Sequence, residues 1–267
     1  MAKNYLVTGA NGAIGRHIAA GLARSSPDAH VCFVCRDEAK GRAALEEVAA
    51  ATGNAHCALE LCDLADGASI AALAQRWGER PLHALVNNAA APAPTTKTLT
   101  AEGIEVQLAV NVLGYARMIA AFGDALVRAA PGSRVVNVAS YWAGDLDLDD
   151  LQWNRRKYNN DKAYRQTKAC DRMLAAHFAQ QAPFADHGVA VYSCHPGDVN
   201  SQLSNSLGYG GHESGPQGAA TPVWLALGGA GVASSGGYFR GQKPQACQFS
   251  ADARAVAKLW AKVAPFV

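Results

Sequence analysis

Tyr164 and Lys168 stand four residues apart in the stretch Ala163-Tyr164-Arg165-Gln166-Thr167-Lys168. On a helix that spacing puts both side chains on one face, one turn apart. A free phenol titrates at about 10 and is a poor base at neutral pH, but a neighbouring ammonium favours the phenolate and lowers that value. A tyrosine tuned in this way can give or take a proton at a reacting oxygen. The same spacing also describes an aromatic residue on a core face beside a solvated lysine, so the meaning of the pair depends on its surroundings.

Those surroundings alternate between strand and helix. Lys3 to Thr8 reads as a strand that ends in Gly9-Ala10-Asn11-Gly12-Ala13-Ile14-Gly15, and a helix follows with Ile14, Ile18, Ala19 and Leu22 on one face. Further strands are expected at His30 to Cys35, His56 to Leu61, His83 to Asn87, Arg134 to Ala139 and Val189 to Cys194. Between and after them, helices are expected from Asp37 to about Ala51, Ala65 to Trp77, Gly103 to Ala129, around Tyr164 to about Gln181, Gln217 to Leu227, and Asp252 to Val263. The alternation implies an α/β fold, a doubly wound parallel sheet with helices on both faces. Right-handed crossovers then bring the C-terminal ends of the strands to one edge, where such sheets bind ligands. Gly9 to Gly15, Arg36, Asp63, Asn87 to Ala90, Ser140 and His195-Pro196-Gly197 all fall on that edge. With no repeat and no linker, residues 1–267 read as a single domain.

The first of these segments suits a dinucleotide. Glycines between a strand and a helix permit a tight turn and let backbone N–H groups approach a pyrophosphate, and the helix N-terminus adds partial positive charge. The end of the second strand discriminates between cofactors. An acidic residue there would bind ribose hydroxyls and favour NAD, whereas Arg36 can pair with a 2′-phosphate, which favours NADP(H). Arg16 can add charge. Asp63 can accept a hydrogen bond from an adenine amino group or cap the helix that follows.

Composition narrows the partners. The net charge is +2, without a basic run or an acidic tail, which argues against nucleic acid. The N-terminus runs directly into an expected strand, so no signal or transit peptide is expected. The uncharged stretch around Ser214 to Phe239 is broken by Pro216, Pro222 and glycines, so no integral membrane segment is expected. Seven scattered cysteines suggest reduced thiols and a cytoplasmic protein; Cys32 and Cys35, at redox-motif spacing, sit in an apolar run that reads as a buried strand. No metal site is expected: His212 and Glu213 read as a solvated loop, and His195 as a histidine at a strand end.

Taken in order, these segments resemble the short-chain dehydrogenases/reductases over essentially the whole chain. The likeness rests on Thr8-Gly9-x-x-Gly12-x-Ile14-Gly15, Asp63-Leu64, Asn87-Asn88-Ala89, Val110-Asn111, Val136-Asn137-Val138-Ala139-Ser140, Tyr164-x-x-x-Lys168 and Pro196-Gly197. A narrower likeness, to the retinol-dehydrogenase-like and protochlorophyllide-reductase-like branch, rests on Cys35-Arg36-Asp37, Asp149-Asp150-Leu151, Gln166 and Gly237-Tyr238-Phe239. The resemblance implies a Rossmann-type sheet and a catalytic tetrad of Asn111, Ser140, Tyr164 and Lys168. Tyr164 would exchange the proton, and Ser140 would orient the substrate oxygen. Lys168 would hold the nicotinamide ribose and lower the Tyr164 pKa, and Asn111 would fix a water linking Lys168 to solvent. Cofactor contacts are implied for Gly9, Asn11, Gly12, Ala13, Ile14, Gly15, Arg36, Asp63, Leu64, Asn87, Ala89, Tyr164, Lys168, Pro196, Gly197, Val199 and Ser201. Homo-oligomers through the long helices are implied as well. The chain departs from the family pattern at Ala13, Ala90, Thr167 and Ser201, and its Gly-x-x-Gly-x-x-Gly spacing is shared with longer epimerase relatives.

Substrate selection is expected from the insert Tyr141 to Asp161 and from Leu203 to Pro216. Tyr141 and Trp142 can line an apolar pocket, and the glycine-rich second segment has the place of a mobile lid. The resulting expectation is an NADP(H)-dependent oxidoreductase that interconverts a carbonyl and an alcohol on a small, mostly apolar substrate. The alternatives are a reductase of a C=C bond or an epimerase-like enzyme, and a non-catalytic NADP(H)-binding sensor or scaffold.

Overall fold

Tyr5, Leu6 and Val7 show why the chain starts as a strand covered on both sides: Tyr5 and Val7 enter one apolar layer, Leu6 the other, and all three are buried. The structure, a computed structural model, describes residues 2–267. The sheet is built from β1 (Asn4–Thr8), β2 (His30–Cys35), β3 (Cys57–Leu61), β4 (Ala84–Asn87), β5 (Arg134–Val138), β6 (Ala190–His195), β7 (Tyr238–Arg240) and β8 (Lys243–Gln245). Their order is β3-β2-β1-β4-β5-β6-β7-β8; all neighbours are parallel except β7 and β8. Leu6 pairs in register with Cys32 on one side and Leu85 on the other.

Helices cover both faces. On the Tyr5 and Val7 side lie α1 (Gly15–Ala23), α2 (Glu38–Thr52) and, later, α9 (Gly215–Ala226), burying Ile18, Leu22, Val48 and Leu225 with Phe33 and Tyr192. On the Leu6 side lie α3 (Gly67–Trp77), α4 (Gly114–Ala121), α5 (Gly123–Arg128) and α6 (Asn160–Ala179), with α11 (Ala253–Val263) outside α6; they bury Leu73, Phe122, Met173, Leu174 and Leu259. Three shorter helices complete the chain: α7 (Ala182–Ala185), α8 (Gln202–Ser206) and α10 (Gln248–Ala251). Caps mark the starts: Asp37 accepts from the Lys40 N–H, Asp66 from Ala68, Asn159 from Lys162, and Asp252 from Arg254 and Ala255.

The expected doubly wound parallel sheet is present, with three differences in its elements. Two strands were not expected: β7 and β8 are three residues each, flanked by Gly236, Gly237 and Gly241, too short for a readable alternation. Pro244 is tolerated in β8 because that strand is the sheet edge. The long helix expected from Gly103 to Ala129 is segmented: Leu99 and Glu105 pair as an isolated bridge, Leu108–Leu113 is a π-helical turn, and the chain breaks again at Phe122. Finally, Asp66 rather than Asp63 caps α3. No helix of the described residues is long and apolar enough to cross a membrane, and all seven cysteines are free thiols.

Candidate active site

The loop after β1 turns because Gly9 adopts φ +62°, and it packs so closely that a methyl group there would sit 2.8 Å from the Ala89 Cα. At Gly15 a methyl group would overlap the Gly9 carbonyl oxygen, so the start of α1 lies directly against the turn. Thr8 locks this turn to the loop after β4: its hydroxyl accepts the N–H groups of Asn88 (2.9 Å) and Ala89 (3.1 Å), while the Asn88 amide donates to the Thr8 carbonyl at 2.9 Å. The backbone N–H groups of Ala13 and Ile14 have no hydrogen-bond partner among the described residues. Free N–H groups at the start of a helix fit a phosphate.

At the end of β2, Arg36 is exposed and makes no ion pair among the described residues, because its acidic neighbours are engaged elsewhere: Asp37 with Lys40 and Glu38 with Arg42. Arg16 lies over the glycine loop, bonded to Glu47 at 3.1 Å and to the Asn11 carbonyl at 3.4 Å. Asp63 accepts the Ala65 N–H at 2.9 Å and stabilises its own loop, with buried Leu64 beside it. Asn87 faces into the sheet, where its amide donates to Asn137 at 3.0 Å, and its oxygen has no partner among the described residues.

Four further side chains meet beyond β4 and β5. Asn111, in the π-helical turn, accepts the Ala91 N–H at 2.9 Å and donates to the Thr167 hydroxyl at 3.0 Å. Ser140 follows β5, is 5% exposed and accepts the Trp142 N–H at 3.2 Å. Tyr164 and Lys168 occupy successive turns of α6. The Lys168 ammonium is buried and donates to the Val138 carbonyl at 2.9 Å and to Asp171 at 2.8 Å. Burial opposes its charge, but Asp171, Tyr115 and Tyr164 outweigh that, and the lysine is held firmly protonated. Tyr164 retains some exposed surface, yet protein atoms crowd its phenol. That burial pushes the pKa up, against the Lys168 charge and a hydrogen bond with Ser140, which both pull it down. The net direction is therefore opposite to the lowering expected from the lysine alone.

Beyond β6 the chain folds back over the edge. Val199 is buried and pairs with Glu213 as a parallel bridge. The Glu213 carboxylate lies against Gly197, where a methyl group would overlap it; Glu213 is half-buried, and His212 beside it is exposed as expected of a solvated loop. Ser201 is the N-cap of α8 and accepts the Ser204 N–H at 3.0 Å. The presumed lid is tied to the insert: Tyr209 stacks on Trp142 with ring centroids 4.8 Å apart and bonds Asp161. Tyr141 packs edge-on to His195 and under Arg240, and its hydroxyl donates to Asp198 at 3.3 Å. No group of three or more metal-ligating side chains occurs among the described residues.

Four participants were assigned no role in the site from the sequence. Asp171 pairs with Lys168, and Arg172 donates to the Ser140 carbonyl and to the Tyr238 hydroxyl. Tyr115 places its ring centroid 5.2 Å from the lysine ammonium and bonds the Ala89 carbonyl at 2.9 Å. The i, i+3 spacing from Lys168 to Asp171 could have been noticed; Tyr115 and Tyr238 arrive from remote elements and carry no local signal.

A model of the short chain dehydrogenase family matches residues 3–209. Retinol dehydrogenase 13 of Homo sapiens is 33% identical over 285 aligned positions, covering 99% of this chain and 84% of that protein. Retinol dehydrogenase 11 of Mus musculus is 36% identical, covering 76% of this chain and 63% of that protein. Among solved structures, an uncharacterized protein from Mycobacterium Paratuberculosis has a TM-score of 0.78 at 24% identity, covering 99% of this chain and 92% of its own. The NADPH-bound carbonyl reductase from chicken fatty liver has a TM-score of 0.69 at 22% identity, covering 92% and 99%. These two likenesses speak to the fold. The family match over most of the length, with a relative one-third identical over nearly all of this chain, makes the chain a member of the short chain dehydrogenase family, in its retinol-dehydrogenase-like branch, and an oxidoreductase.

Proposed function

We propose that the protein is an NADP(H)-dependent oxidoreductase that interconverts a carbonyl and an alcohol on a small, mostly apolar substrate, with Tyr164 exchanging the proton. The observation that carries this reading is geometric: the buried Lys168 ammonium lies 5.8 Å from the Tyr164 ring centroid, one turn along the same helix, at the ligand-binding edge of the sheet where Ser140 follows β5. The glycine loop would hold the pyrophosphate of the cofactor on its free N–H groups, and Arg36 would meet a 2′-phosphate. Val199, Ser201 and Lys168 would hold the nicotinamide end. When bound, that cofactor supplies or accepts the hydride. Reduction builds negative charge on the substrate oxygen; the Ser140 hydroxyl would stabilise it and Tyr164 would protonate it. Asn111 supports the reading from behind, tethering the turn that carries Tyr164. The NADPH-bound carbonyl reductase among the structural neighbours supports the choice of cofactor.

Tyr141, Trp142 and Tyr209 form an aromatic wall beside Ser140, which suits an apolar substrate. Seven free thiols suit a reducing cytoplasmic setting. A homo-oligomer is expected from the family, and because α10 and α11 pack along α6, other surfaces would supply most of its contacts.

The test is cofactor oxidation by the wild type and Tyr164→Phe over a panel of aldehydes and ketones, with NADPH and NADH compared and products identified. The reading expects alcohol products, a preference for NADPH, and a loss of turnover of about 100-fold or more in the variant. Full turnover by Tyr164→Phe would overturn it, as would saturation of a C=C bond in place of alcohol formation. NADPH binding without turnover on any carbonyl would favour a sensor.

A further inference from the structure

Asp171 is wholly buried, one turn beyond Lys168 on α6, and no step proposed above uses it. Its Oδ2 lies 2.8 Å from the Lys168 Nζ, and its Oδ1 has no partner among the described residues. A carboxylate is not left in such a place without a compensating charge. The lysine is that charge, and its geometry is specified by the same contact. Of the three N–H bonds of the ammonium, one goes to Asp171 and one to the Val138 carbonyl, which precedes Ala139 and Ser140. The third has the two phenols, Tyr115 and Tyr164, as its neighbours. Nζ itself lies 5.8 Å from the Tyr164 ring centroid.

The other groups around Asp171 leave the pair intact. On α6, Arg172 turns away to the Ser140 carbonyl and Tyr238, and Cys170 is a buried neutral thiol. From α4 comes the Tyr115 phenol, bonded to the Ala89 carbonyl; from β6, the neutral thiol of Cys194. From β5, the Asn137 amide donates to the Asp171 backbone carbonyl at 3.3 Å, not to its carboxylate.

We propose that Asp171 is a positioning residue for the proton transfer: its carboxylate fixes the Lys168 ammonium against the Val138 carbonyl and offsets part of the charge that the ammonium presents to the Tyr164 phenol. The inference rests on the reading of Tyr164 as the proton-exchanging group. Its consequence is directional. A carbonyl reduction needs the protonated phenol, and an alcohol oxidation needs the phenolate. By blunting the lysine charge, an ionised Asp171 moves the titration of the phenol to higher pH; burial pushes the Asp171 carboxyl itself up to about 7 against the pull of Lys168, so the offset is complete only above that pH.

Asp171→Asn keeps the shape and removes the charge. The pH profile of kcat/KM is measured for NADPH-dependent reduction of the best aldehyde of the panel and for NADP-dependent oxidation of its alcohol, with the wild type, Asp171→Asn and Asp171→Ser. The limb that reports the phenol moves to lower pH by about one unit in either folded neutral variant, the scale of one charge acting over several ångströms. Profiles that coincide with the wild type would overturn the proposal. Should neither variant fold, tyrosinate absorbance of the wild type less that of Tyr164→Phe reads the phenol directly: titration above about 10 agrees with an offset lysine, and titration near neutrality overturns it. Failure of the underlying reading is separate, because it appears as turnover retained in Tyr164→Phe whatever Asp171 does.

Discussion

The Asn111 amide donates to the Thr167 hydroxyl across 3.0 Å, and Thr167 in turn donates to the Tyr164 carbonyl at 2.8 Å. A π-helical turn on one side of the site is thereby joined to the turn of α6 that carries the phenol. The same Asn111 accepts the Ala91 N–H, so each end of its amide has one protein partner, with one N–H and one lone pair beyond them.

Asn111→Ala would strand the Ala91 N–H and remove a buried bond to Thr167. A loss of about 2 kcal/mol in stability is expected, read as a lower midpoint in urea, with slower turnover in the protein that remains folded. Thr167→Ser keeps both hydroxyl bonds and should behave nearly as the wild type; Thr167→Val breaks them and should resemble Asn111→Ala.

Arg36 is the free cation at the end of β2, so reversing its charge isolates its effect on the cofactor. Arg36→Glu should raise the KM for NADPH by roughly 10- to 100-fold, as loss of a charge-assisted phosphate contact implies. The KM for NADH should change little, and kcat should hold. Equal effects on both cofactors would remove Arg36 from the 2′-phosphate site.

Trp142 is 36% exposed and stacked on Tyr209, with an interplanar angle of 8°. Trp142→Ala should raise the KM for apolar aldehydes by about five- to ten-fold, the scale of one lost aromatic contact. Since the Trp142 contact to Ser140 is through its backbone N–H, kcat should be retained. Tyr209→Ala should act in the same direction and add little in the double variant, because each removes the same stack.

His195 is 4% exposed, and burial, reinforced by Arg240 and Arg172, holds its pKa down at about 4 against an ordinary 6.5. Between those values the unfolded chain binds a proton that the folded protein refuses, so stability rises with pH across that window and is lost as pH falls through it. The contribution is about 3 kcal/mol, fully present above pH 6.5 and gone near pH 4. His83 and His177 are displaced in the same direction and add to the slope. Denaturant melts from pH 8 to 4, about the span of these histidines, should show this decline, and His195→Phe should flatten it.

Local sequence was informative wherever the signal was itself local. Tyr164 and Lys168 share a face because four residues make about one helical turn; Asp37 opens α2 because its side chain reaches an N–H three residues on; and β1, β2 and β5 read as apolar runs because both faces of a parallel sheet are covered. The strands β7 and β8 were missed because three residues carry no period. The approach of the Glu213 carboxylate to Gly197 carried no local signal because Gly197 lies on another loop. The expected fall in the Tyr164 pKa neglected burial, which is set by how many remote elements close around the phenol.

By itself, then, the sequence determined the alternation of β1 to β6 with their helices, the glycine turn with the cation at the end of β2, and the pairing of tyrosine with lysine on one helix. Each follows from bond geometry and side-chain chemistry within a few residues. Only the tertiary structure decided what those groups experience: that Lys168 is neutralised in part by Asp171, that Tyr115 from α4 closes over it, that Asn111 is tied to Thr167, and that Tyr209 returns to stack on Trp142. Coulomb energy and desolvation depend on distance through space and on what excludes water, and neither is written in the spacing of residues along a chain.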